Sequence, residues 1–170
     1  MNGANLNDLA LLLPELILVG TASVLILVPQ RLQKLPLVAA ATILAAVAAA
    51  LASVWIVSAD PKIGFGGMFT VDRYSQFFKV LVASALTLAS LLSVTTRGPM
   101  GSQTHESSVR PAEYFGLLLL ASTGMMFAAS ALDLLTLYLA LELMTLCSYI
   151  LVGITVDRPK SNEAAIKYFL

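Results

Sequence analysis

The stretch LDLLTLYLALELMTLCSYILVGI, residues 132–154, decides the fold. It is apolar over more than the ~20 residues that about 30 Å of hydrocarbon requires at helical rise, so it reads as a transmembrane helix. One residue is out of place. Glu142 lies near the middle, where a carboxylate costs roughly 2.5–3.5 kcal/mol on insertion scales, and such residues mark ion or proton pathways.

The rest of the chain agrees with a membrane setting. Its 170 residues are 58% hydrophobic and 12% charged, with a mean hydropathy of +0.87. Soluble domains run near about 45–50% and 25%. Formal net charge is zero, so nothing points to nucleic acid or an acidic partner. The expected fold is an all-α polytopic bundle in a single membrane domain, 1–170. Spans are expected at about 9–28, 37–59, 73–95, 113–131 and 132–154, with the start of a sixth helix at 161–170. Pro14 and Glu15 interrupt the first span near its start. The Ala-rich second span suits close helix packing.

The sixth helix is expected to begin at Ser161 or Asn162, either of which can cap it, with Glu163 in its first turn. It stops in mid-pattern at Leu170, which predicts a truncated product or fragment. The N-terminus has no basic leader and no small-residue cleavage site, so the first segment reads as a retained span. Arg31, Lys34, Arg97, Arg110, Arg158 and Lys160 fall on one side of the alternating loops, against Lys62 and Arg73 on the other. This asymmetry places the N-terminus outside.

Several chemistries find no residues to carry them. Gly64-Phe65-Gly66-Gly67 opens no strand–helix unit and reads as an external turn, so there is no dinucleotide fingerprint. No Cys or His cluster is present for zinc or iron–sulfur ligation, and there is no nucleophile elbow. Cys147 is a small buried hydrophobe within a span, and His105 a solvated loop residue. Neither redox chemistry nor an NAD site is expected in this chain.

On a helix, Tyr138, Thr145 and Tyr149 stand at i−4, i+3 and i+7 from Glu142 and share its face. That stripe should face a bundle interior, where hydroxyls and water can solvate the acid and relay protons. The alternative is a structural acid, neutral by burial. Lys167 has two readings as well: an ordinary i,i+4 pair with Glu163, or a buried lysine tuned by an acid. Asp133 is expected to cap or border its helix. Lys79 should snorkel to the outer interface. Asp72 is a candidate N-cap, and Glu15, after Pro14, suits the dipole at the start of its helix.

Residues 130–143, SALDLLTLYLALEL, resemble the fifth-helix signature of the antiporter-like subunits of proton-pumping NADH:quinone oxidoreductase, respiratory complex I. Residues 158–169, RPKSNEAAIKYF, are similar to the following signature of subunit N, as are LPELIL at 13–18 and VDRYSQFFK at 71–79. These run in family order along nearly the whole chain. Leu132 departs from the polar residue usual before the aspartate, which weakens any role for Asp133.

The resemblance implies a bacterial inner-membrane subunit that takes part in proton translocation coupled to quinone reduction. Glu142 would be the fifth-helix acid that couples to buried lysines, and Lys167 the sixth-helix lysine of the same polar axis. Partners would be the other membrane-arm subunits, with FMN, iron–sulfur clusters and quinone bound elsewhere in the complex. The family's further lysine-bearing helices would lie past Leu170. A multi-subunit sodium/proton antiporter shares the fifth-helix motif and stays open as an alternative, as does a truncated, non-catalytic assembly element.

Overall fold

In a computed structural model, residues 6–29, 33–57, 61–95, 110–156 and 159–169 are described. A short helix α1 (Leu6–Leu11) breaks at Leu12, and α2 (Leu13–Leu27) follows with Pro14 in its first turn. Proline fits there because its missing N–H would have no partner in any case. Then come α3 (Leu35–Ile56), α4 (Arg73–Thr95), α5 (Pro111–Ser130), α6 (Leu134–Val152) and α7 (Pro159–Phe169). Four of these, α3 to α6, are long and apolar enough to cross a membrane, whereas α2 is a shorter apolar helix. The chain is a mostly helical, multi-pass membrane protein.

Helices α2, α3, α4 and α5 pack on one another as a four-helix core. Leu18 and Ala22 of α2, Ala46 and Ala49 of α3, and Phe115, Leu119 and Met126 of α5 are wholly buried in it. The alanine face of α3 lets its neighbours approach closely, as its composition requires. Four buried hydroxyls in these helices return to their own backbones: Thr42 donates to Val38 O, Ser53 to Ala49 O, Ser90 to Leu86 O and Thr123 to Leu119 O. They need no partner from another helix.

The expected all-α class is departed from at one place. Between α3 and α4 a small antiparallel hairpin pairs β1 (Lys62–Gly64) with β2 (Phe69–Val71), in register Lys62 to Val71 and Gly64 to Phe69. Gly66 and Gly67, at φ 67° and 99°, turn the chain between the strands, a backbone region that glycine adopts without steric cost. The hairpin docks on the α5–α6 connection. Phe69 bridges Ala131, and Leu132 N donates to Met68 O. This fixes the starts of α4 and α6 and the end of α5 at one end of the bundle.

Two of the helix starts that differ from expectation have a local cause. Helix α7 begins at Pro159 rather than at 161 or 162, because proline's fixed φ already suits a first helical turn. Ser161 and Asn162 instead donate back to Val152 O and Val156 O, stapling the preceding loop. Helix α6 begins at Leu134, two residues later than the apolar run, because Asp133 caps it: the Thr136 N–H donates to Asp133 Oδ1 at 2.7 Å. Asp72 caps α4 in the same way through the Ser75 N–H, at 2.8 Å. His105, Arg31, Arg97 and Arg158 lie outside the described residues.

Candidate functional site: an exposed acid on α6 and a buried ion pair between α2 and α4

Helix α6 packs against α5 through one side. Ala140 and Cys147 are buried there, and Met144 meets α5 at Gly124, where a Cβ would come within 2.9 Å of Ala140 O and Met144 N. Glycine at 124 is what permits that crossing distance. Glu142 is turned away from this seam and is exposed. Tyr138 is 62% exposed. Thr145 is half-buried and donates to the backbone oxygen of Glu142 at 3.0 Å, not to its carboxylate.

Tyr149 is also half-buried and packs edge-on against Tyr168 and Phe169 of α7, 5.4 Å from each ring centre. The four residues therefore do share a stripe, as their spacing requires. The expectation that it faces the interior of this bundle is corrected: α6 is an outer helix here, buried on the opposite side. The Glu142 carboxylate has no side-chain partner among the described residues.

Lys167 lies on exposed α7 and bonds Glu163 Oε1 at 2.6 Å, with the two side chains 73% and 62% exposed. The i,i+4 reading describes its geometry in this chain, and the buried position does not occur. Lys167 and Glu142 are not in contact.

Sequence reasoning missed the pair that the structure does bring together. Lys79 Nζ stands 2.8 Å from Glu15 Oε1, with the side chains 0% and 1% exposed. Lys79 was expected to snorkel. It turns inward because Glu15 offers a counter-charge from α2 and the Phe69 ring of β2 lies 4.6 Å from its ammonium. A charge enclosed without such partners would be prohibitively costly. Glu15 does occupy the first turn of α2 after Pro14, as expected, but its carboxylate serves Lys79. The contact engages Lys79 Nζ and Glu15 Oε1, and leaves Glu15 Oε2 buried without a partner among the described residues.

A signal for this pair was present. Ser75, Gln76, Lys79, Ala83, Ser90 and Ser93 share one face of α4, and all are buried. In a membrane helix, a face of small and polar residues turns towards protein. Lys79 belongs to that face, and Glu15 is an acid at matching depth in another span entering from the same side.

At the helix starts outside the spans, the carboxyl of Asp133 is held below its ordinary value by hydrogen bonds from Thr136. Burial pushes Asp72 upward, but hydrogen bonds from Ser75 outweigh this and leave it lowered, with the nearby Lys79 charge adding to the effect. No group of three or more metal-ligating side chains occurs among the described residues.

Comparison with known proteins gives this geometry its relatives. Residues 131–170 match the family described as NADH:quinone oxidoreductase/Mrp antiporter, TM. NADH-quinone oxidoreductase subunit N 2 of Rhizobium meliloti (strain 1021) is 36% identical over 92% of this chain and 32% of its own length. Subunit N of Desulfovibrio desulfuricans is 39% identical over 97% of this chain and 32% of its own. Subunit N of Dehalococcoides mccartyi is 37% identical over 94% and 32%. Over nearly its whole length the chain is thus similar to relatives named NADH-quinone oxidoreductase subunit N, and it spans about a third of the length of the curated relatives it matches.

Proposed function

We propose that this chain supplies part of the proton path of a membrane-arm subunit of an NADH:quinone oxidoreductase, with Glu142 as its proton-exchanging acid. The observation that carries this is the placement of Glu142. It lies about 12 Å along α6 by helical rise, in an otherwise apolar span, turned away from the four-helix core. A carboxylate so placed is too costly to leave facing lipid. The curated relatives are about three times as long as the chain, and their additional length can supply the polar cover that this stripe needs. Tyr138, Thr145 and Tyr149 then line the same path, and Lys167 modulates its charge where a further helix encloses α7.

In this reading α2 counts as a span, which gives five spans and the start of a sixth in α7, with the N-terminus outside. The chain sits in a bacterial inner membrane beside the other membrane-arm subunits. FMN, iron–sulfur clusters and quinone belong to other subunits, and no redox step occurs in this chain. The family description also names the Mrp antiporter, which favours a second reading, a subunit of a sodium/proton antiporter. The relatives named subunit N favour the first.

The test is Glu142→Gln in the full-length subunit within its assembled complex. Proton pumping into vesicles should fall several-fold, and coupled quinone reduction with it. Unchanged pumping removes Glu142 from the path.

A further inference from the structure

The bundle interior contains hydrogen-bonding capacity that the fold does not use. Beyond the Lys79–Glu15 contact itself, Glu15 Oε2, both amide atoms of Gln76 and the Ser130 hydroxyl are buried without a hydrogen-bond partner among the described residues. All four residues are at most 1% exposed. They gather at one end of the bundle. Gln76 is one turn before Lys79 on the buried face of α4, and Ser130 ends α5 beside Ala131, which bridges Phe69.

Elsewhere in the core the buried hydroxyls of Thr42, Ser53, Ser90 and Thr123 are satisfied by their own helices. The unused capacity therefore lies at the end of the bundle where α4 begins and α5 ends, the end that holds the ion pair. Buried polar groups are almost always bonded to protein or to ordered water. An ammonium at the centre disfavours a bound cation, and a mixture of donors and acceptors suits water.

We propose that Glu15 and Lys79, with water held by Gln76 and Ser130, form a proton-exchange centre of this chain, separate from the Glu142 stripe. The ammonium and the carboxylate face each other at 2.8 Å with 0% and 1% of their side chains exposed, close enough for a proton to pass between them. In the exchange an N–H bond of Lys79 breaks, its electron pair stays on Nζ, and an O–H bond forms on Glu15 Oε1, directly or through water. Nothing is oxidised or reduced. Asp72, at the start of α4, is the further charged group that acts on Lys79, and Phe69 closes the other side. The pair lies about 9 Å along α4, against about 12 Å along α6 for Glu142, counted from the same end of the bundle. The two centres are therefore at similar depth.

This inference rests on the proton-path reading above. Its test uses the full-length subunit in its assembled complex, in vesicles, measuring protons moved per quinone reduced. The E15Q/K79M double variant is neutral and similar in shape, so no charge is left uncompensated. It should assemble and show a several-fold lower ratio. A normal ratio overturns the proposal and leaves the pair as a structural tie.

If the double variant does not assemble, Q76L, which removes a water anchor without touching a charge, should lower the ratio; an unchanged ratio is equally fatal. Infrared difference spectra during turnover should show a protonated carboxyl band that disappears in E15Q and shifts in E15D. An E142Q arm separates the two ideas. Loss in E142Q alone defeats the Glu15–Lys79 centre, and loss in E15Q/K79M alone defeats the α6 reading.

Discussion

Two lysine–glutamate pairs in this chain have almost the same length and opposite surroundings. Lys79 and Glu15 meet at 2.8 Å with 0% and 1% of their side chains exposed, while Lys167 and Glu163 meet at 2.6 Å with 73% and 62% exposed. Distance alone would rank the second slightly stronger. Surroundings reverse the order: an exposed pair gains little over hydration, whereas members of an enclosed pair depend on each other because neither can return to water. The four-helix core is built around a charge contact that must stay paired. The α6–α7 edge carries charges that the core does not enclose, Lys167 and Glu163 among them.

The largest expected effect comes from breaking the enclosed pair on one side. Lys79→Met leaves the Glu15 carboxylate buried and uncompensated, and should cost roughly 3–5 kcal/mol, read as a lowered thermal unfolding midpoint of the purified protein in detergent. Glu15→Gln in the same background should recover most of that loss by removing the orphaned charge. A double variant as unstable as the single would mean that the lysine stem's packing, and not its charge, holds α4 in place.

A smaller effect is expected where α6 begins. Asp133→Ala removes the acceptor of the Thr136 N–H and should destabilise α6, seen as faster amide exchange in its first turn. The pH dependence has a definite sign. Hydrogen bonds from Thr136 hold the folded-state pKa of Asp133 below its ordinary value of 3.8. The stabilisation is therefore present at pH above that ordinary value and lost as pH falls through the depressed one. Exchange in Asp133→Ala should converge with wild type only in strong acid. Convergence near neutral pH would show that the cap does not act through its charge.

The sequence carried the membrane setting, the α3–α6 spans and both aspartate caps, because apolar length and a cap at a helix start are local properties. Glu142 and its stripe were legible for the same reason, since α-helical spacing alone assigns a shared face. Which way that face points was not legible: α6 packs through Ala140, Met144 and Cys147, and only the placement of α5 decides this. The Lys79–Glu15 contact lay hidden because it joins residues far apart in sequence, each with a sufficient local explanation. The hairpin was hidden too. Its three-residue strands are too short to show a period, and the register comes from docking on Ala131.

The smallest stability effect belongs to the exposed pair, and for that reason it separates two roles most cleanly. Lys167→Ala should cost only ~0.2–0.5 kcal/mol, as for other i,i+4 pairs on helix surfaces, and less in high salt. A residue with so little part in stability cannot impair the assembled complex through misfolding. If Lys167→Ala in the full-length subunit lowers proton pumping while the unfolding midpoint stays in place, the lysine acts on the path by its charge, and further protein must enclose α7 there. If turnover is normal as well, Lys167 and Glu163 are a surface pair only, and Lys167 is not the cationic partner of the α6 acid.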